Sequence, residues 1–122
     1  MLKGIRVYAN EKGLLDREQM RQPGAYGKPT FDFVKKYGPN VFRMTWWEVT
    51  CPDGSGCTLN PEIHSVTIME NGSITVYPSI VTPTWHGWLE CGVWRHVNEV
   101  PNQVELARLA KEVGEQNGFA SR

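Results

Sequence analysis

The chain lacks an excess of either charge. Thirteen Lys and Arg face thirteen Asp and Glu in 122 residues. Phosphate backbones are held by a basic surplus or a basic patch, and the one local basic pair is Lys35-Lys36. Nucleic acid is therefore not an expected partner. Also missing is any apolar run near the ~18 residues that a membrane span requires. The opening residues 1–8 show neither the apolar stretch nor the small-residue cleavage site of a signal peptide, so the expected location is cytoplasmic, in a host cytoplasm or a virion. Cysteine is scarce, and its count of three is odd. That suits a reducing compartment with metal or thiol chemistry better than a disulfide framework. No H-E-x-x-H, no G-x-S-x-G and no phosphate-cradling glycine loop occurs, nor any internal repeat or low-complexity segment.

What is present predicts one domain over residues 1–122. It divides into an N-terminal extension (1–40), a β core (41–100) and a C-terminal helix (101–118). Residues 5–8 are a short strand candidate, and 10–22 a polar short helix with few apolar anchors. Pro23, Gly24, Gly27 and Pro29 punctuate a loop. Thr30 is placed to cap a one-turn helix that Gly38-Pro39 stops. Residues 41–50 are rich in β-branched and aromatic side chains and predict a strand running into Cys51. Residues 64–69 and 73–77 predict a hairpin about Asn71-Gly72, with a type I′ turn and Pro78 as its end. Residues 85–90 and 93–97 predict a second hairpin about Cys91-Gly92. Asn102 is the expected cap of a helix reaching about Asn117, with Gly118 as its stop. Val104, Ala107, Ala110 and Val113 lie near one face. Glu105 with Arg108 and Arg108 with Glu112 lie at ion-pair spacing on the other. The fold class is α+β, mainly β: a small antiparallel sheet of hairpins around a zinc site, with a C-terminal helix.

The zinc expectation comes from Cys51, Cys57, His64 and His86. Zinc takes thiolate and imidazole in tetrahedral fours. Two thiolates and two neutral imidazoles cancel the charge of the ion, which lowers the cost of burying it. The loop 51–57 is built for turning. Gly54 and Gly56 let backbone N–H groups swing toward the sulfurs, which favours thiolate. Cys51 ends one expected strand, and His64 and His86 begin two others, so three strand ends of one sheet are expected to converge. Structural zinc is worth about 10–16 kcal/mol in small peptides. The competing account is that these are ordinary buried thiols and core histidines.

The stretch Gly72-Ser73-Ile74-Thr75-Val76-Tyr77-Pro78-Ser79-Ile80, followed by Trp85-His86-Gly87-Trp88-Leu89-Glu90-Cys91-Gly92-Val93-Trp94, resembles an uncharacterised family of zinc-binding β domains. The family pattern is a glycine, an alternating strand, Pro-Ser-Ile, and then a Cys/His-bearing "WHGxLxNG" hairpin. Its members occur in phage genomes, where some are mislabelled ammonia monooxygenase, and in bacterial ubiquitin-like gene clusters. The resemblance spans roughly residues 50–97, including a cysteine loop matched by Cys51 to Cys57. It implies a zinc-binding β domain of phage origin and supplies no activity. Two departures stand out. The family's cysteine before the hairpin histidine is Pro83 or Thr84 here, and its Asn-Gly turn is Cys91-Gly92. The first leaves a ligand vacancy that His64, Cys91 or His96 could fill. His64 is preferred, because a turn-tip Cys91 faces away from a site at the strand start.

Five tryptophans are many for this length. Trp46 and Trp47 must point to opposite faces of a strand, while Trp85, Trp88 and Trp94 flank the second hairpin. They serve either as core and zinc shield or as a recognition surface. With only three protein ligands, a water would complete the zinc shell, and Glu48, Asp53 or Glu62 could act as its base, which describes a hydrolase. The expected function is a zinc-stabilised protein-interaction or structural module with a protein partner. The alternative is a zinc-dependent hydrolase with an open coordination position. The oligomeric state is not legible.

Overall fold

Strand alternation and glycine turns lay down nine short strands in the computed structural model, which describes residues 1–118. The order is β1 (Leu2–Lys3), β2 (Ile5–Val7), α1 (Arg17–Met20), β3 (Ala25–Gly27), α2 (Phe33–Tyr37) and a kinked 3-10 segment (Pro39–Thr45). Then come β4 (Trp47–Thr50), β5 (Gly56–Leu59), β6 (Ser65–Ile68), β7 (Ile74–Val81), β8 (His86–Glu90), β9 (Val93–His96) and α3 (Gln103–Gln116). The class is α+β, mainly β.

The strands form two sheets rather than one. A five-stranded sheet runs β1-β9-β8-β7-β6, and a four-stranded sheet runs β2-β3-β4-β5. Every pairing is antiparallel except β2 with β3. The N-terminal residues are thus no appendage to the β core: β1 completes the first sheet, and β2 and β3 supply half of the second. Crossing between sheets takes place at Gly4, whose N–H donates to Gly92 O at 2.7 Å. A Cβ there would sit 2.7 Å from Gly92 O and 2.8 Å from the Tyr26 ring, so only glycine fits the crossing.

One core serves both sheets. Tyr26, Trp47, Val49, Cys51 and Leu59 from the second sheet side pack with Ile74, Val76, Ile80, Leu89 and Trp94 from the first, together with Trp85. Trp85 and Trp94 meet edge to face at 5.3 Å, and the Trp94 indole N–H donates to Gly24 O at 2.9 Å across the sheets. Arg6 on β2 adds a polar strut. Its guanidinium lies over Tyr8 and Trp47 and donates to Gly72 O at 2.7 Å. Burial holds its pKa below the usual guanidinium value.

Several expectations shift in detail. Residues 41–45 are not strand: Pro39 opens a 3-10 segment, because a proline at the first helical position is preorganised for it. The cap of α2 is Asp32, which accepts from the Lys35 N–H, and not Thr30. Pro78 does not end β7. The register with β8 slips between Val76 and Ile80, so the missing N–H falls where the ladder is already interrupted. The 68–74 loop is not type I′. Gly72 N–H donates to Met69 O, and only Gly72 has positive φ there, which is a type I turn followed by a left-handed glycine. The type I′ turn belongs to Cys91-Gly92, where φ is 49° and 74°. Asn102 caps α3 as expected, but the helix anchors through Leu109 and Val113, with Leu106 and Ala110 beside them. Val104 is 83% exposed.

Gly92 is the most constrained turn position. A Cβ would lie 2.8 Å from Ser73, Tyr26 and Val113 atoms, in a backbone region that L-residues disfavour. Gly92→Ala is expected to cost about 2–4 kcal/mol from overpacking and strain. Cys91→Asn, which suits its left-handed backbone, should be neutral or stabilise by about 0.5 kcal/mol. Urea unfolding midpoints measure both, and the opposite order would contradict the turn assignment.

Candidate functional site

The four expected zinc ligands come from different sheets. Cys51 follows β4 and Cys57 lies on β5, both in the four-stranded sheet; His64 precedes β6 and His86 opens β8, in the five-stranded sheet. The expected convergence of strand ends from one sheet is corrected on this point. The thiols are neighbours: Cys51 is buried in the shared core, with Cys57 packed against it. Burial pushes the Cys51 thiol up to about 11 and also raises Cys57. The imidazoles meet elsewhere, on Ser79. His64 Nε2 donates to Ser79 O at 3.1 Å, and His86 Nε2 is 2.9 Å from Ser79 Oγ. His64 Nδ1 is buried with no hydrogen-bond partner. Among the described residues, no three His, Cys, Asp or Glu side chains are grouped so as to hold a metal ion. As folded, the donor set does not fit a tetrahedral ion.

The remaining candidates are placed singly. Cys91 sits at the hairpin tip, within 3.8 Å of Thr75 Oγ1. His96 ends β9, accepts from Asn98 N–H through Nδ1, and lies edge-on to Trp85. Gly54 N–H donates to the Cys51 carbonyl rather than to a sulfur.

Hydrogen bonds close the joint that a metal was expected to pin. Asp53 in the cysteine loop accepts from Ser55 Oγ at 2.5 Å and from Thr84 Oγ1 at 2.6 Å, and Ser55 Oγ is 2.8 Å from Thr82 Oγ1. Thr82 Oγ1 in turn accepts from the Trp85 N–H at 3.0 Å. Loop 51–56 is thereby clasped to the turn entering β8. Thr84, one of the two residues just before the hairpin histidine, supplies one of the donors.

Two of the three carboxylates considered as general bases, Glu48 and Asp53, are engaged in other ways. Glu48 is held by Arg17 through two parallel bonds of 2.9 and 3.0 Å, which raises the Arg17 pKa. Asp53 belongs to the clasp. Ser79 and His86 have the separation of a nucleophile–base pair. Among the described hydrogen bonds no carboxylate orients His86, whose ring instead lies 6.1 Å from that of Trp88.

One apolar cleft was not legible in the sequence. Leu14, Leu15, Pro29, Phe33, Arg43 and Met44 line a cleft of about 550 Å³, with the Arg17–Glu48 pair at its lip. Its wall is the 3-10 segment that was expected to be strand. Beside it, Tyr37, Phe42 and Met44 stand 62%, 47% and 49% exposed. Arg43 sits 5.8 Å from the Phe42 ring and 6.0 Å from the Trp46 ring. The Gly38-Pro39 pair was the available signal, since it both ends one helix and starts the next. A smaller cleft of about 270 Å³ has Lys28, Trp46, Trp47 and His64 among its lining residues. No helix among the described residues is long and apolar enough to cross a membrane.

Compared with known proteins, the chain matches no family model, no curated protein and no solved structure.

The clasp has a pH signature. Bonds from Ser55 and Thr84 hold the Asp53 carboxyl below its ordinary value. Its contribution is therefore complete above the unfolded pKa of about 4 and is lost as pH falls through the lower folded value. Thermal melts between neutral pH and about pH 3 should show a loss that Asp53→Asn lacks. An identical acid dependence in the two proteins would remove Asp53 from the joint.

Proposed function

We propose that the chain is a small protein-interaction module whose contact face is the cleft between the 3-10 segment and the residues around Leu14 and Phe33. The carrying observation is the group of exposed large apolar side chains, Tyr37, Phe42 and Met44, beside an apolar cleft. Contiguous apolar surface on a monomer marks an interaction site more often than scattered residues do. On the first sheet the exposed Ile68 and Tyr77 are kept apart by register, since Ile68 pairs with Ile74 and Tyr77 with Ser65. A phage-encoded origin belongs to this proposal and rests on the resemblance of roughly residues 50–97 alone. Panning a random peptide library on the folded protein tests the assignment. Recovered ligands should lose about tenfold or more in affinity to Met44→Asp, the size expected for a buried apolar anchor, and nothing to Ile68→Asp. Ligands indifferent to Met44→Asp would move the contact face elsewhere.

A zinc ion at Cys51, Cys57, His64 and His86 is a separate proposal, supported by the adjacent thiols and the unpartnered Nδ1 of His64. It demands a rearrangement that unites the thiol pair with the imidazole pair. Metal analysis of protein purified without chelators decides the matter. Zinc bound near one equivalent and lost in Cys57→Ala supports a site, whereas metal-free protein with an unchanged melt ends the proposal and leaves the interaction module intact.

A further inference from the structure

We infer that the occupant of this cleft is an acidic protein segment that inserts bulky apolar side chains between flanking carboxylates. The inference rests on the interaction reading above and adds the chemistry of the partner. The chain as a whole is neutral, yet residues 28–45 carry Lys28, Lys35, Lys36 and Arg43 against a single carboxylate, Asp32. Asp32 is occupied as the cap of α2, accepting from the Lys35 N–H at 2.9 Å. None of the four cations enters an ion pair among the described residues. Arg17, which lines the same cleft, is by contrast paired with Glu48.

The cations border the apolar surface. Arg43 lines the cleft itself. Lys35 and Lys36 lie within one helical turn of Phe33, which also lines it, and both are exposed. Lys28 lines the smaller cleft together with Trp46, whose ring also adjoins Arg43. The sequence displayed only the Lys35-Lys36 pair; folding α2 against the 3-10 segment brings Arg43 into the same neighbourhood. An apolar recess with Arg43 unpaired in its lining and Lys36 one turn along from Phe33 has a positive rim on the side of α2 and the 3-10 segment, complementary to apolar anchors set among carboxylates. The rim steers association and discriminates against basic partners.

Single-stranded nucleic acid would use the same charge but needs free aromatic faces for base stacking. Here the rings pack on one another instead of lining up as a platform. Phe42 and Trp46 are T-stacked on each other at 5.4 Å with Arg43 beside both, and Phe33 stacks between Phe31 and Tyr37. Glu48 at the cleft lip is a further charge that a phosphate would meet.

Fluorescence anisotropy on the full chain tests the inference with four labelled probes. The first is a short peptide of Asp and Glu around two leucines and a phenylalanine. The second carries lysine in place of its acids, and the third carries serine in place of its apolar residues. The fourth is oligodeoxythymidylate of similar length. The first peptide alone should bind, and it should weaken about tenfold in the Lys35→Glu/Lys36→Glu/Arg43→Glu protein and also with rising salt. The glutamine version of that triple variant guards against misfolding and should show a smaller loss. Binding abolished by Met44→Asp but untouched by charge reversal would overturn the acidic partner and leave the interaction face standing. Indifference to both variants would overturn both. The inference also fails if the lysine peptide or the oligonucleotide binds as tightly, if no peptide binds below about millimolar concentration, or if sedimentation shows a dimer that covers the cleft.

Discussion

The crossing of the first strand at Gly4 is the constraint on which the rest of the fold depends. Residues 2–3 pair with β9 and residues 5–7 pair with β3, so six residues stitch the edge of one sheet to the edge of the other. The stitch requires the Gly4 backbone to approach Gly92 and Tyr26 closely. Gly92 is in turn part of the tightest hairpin, and the Trp94 indole bonds across to Gly24. Crossing, hairpin and indole bond thus lie within a few residues of one another, and they hold the two sheets over a common core. Burial of Tyr26, Trp85 and Trp94 in that core supplies its largest apolar surface.

The same arrangement explains why the expected metal ligands are not gathered. A sheet edge can present successive strand ends to a point, but here β4–β5 and β6–β8 belong to opposite sheets. The joint between the cysteine loop and the entry to β8 exists, and Asp53, Ser55, Thr82 and Thr84 make it. A solvated carboxylate with hydroxyl donors can close such a joint without thiolate and without the desolvation that raises the Cys51 thiol.

The cleft follows from how residues 28–46 leave the sheets. α2 and the 3-10 segment together form a shelf that sheds no strand pairing and faces solvent on one side. Its exposed aromatics pack on each other and under Arg43 rather than into the core. In a chain whose charges balance as a whole, the shelf collects cations and leaves them unpaired. Apolar surface that the core does not need and charge that the fold does not neutralise then occur in the same place.

The mainly β class, the two hairpins near residues 71 and 91, and the capped C-terminal helix were legible in residue order, because each is written by local chemistry. Alternation sets a strand, Asn102 bonds the first turn of α3, and glycine after Cys91 accepts a left-handed turn. Trp46 ends the 3-10 segment instead of lying on the strand with Trp47, so the expected alternation of the two does not apply: Trp46 is half-buried and Trp47 is in the core. What the order of residues could not determine is which strands share a sheet. That choice rests on long-range pairing, such as β1 with β9 across the length of the chain, and on burial that no local window contains. Tertiary structure alone therefore decided that the thiols and imidazoles fall in separate pairs, that the first forty residues help build both sheets, and that Leu14, Phe33 and Met44 face one another across a cleft.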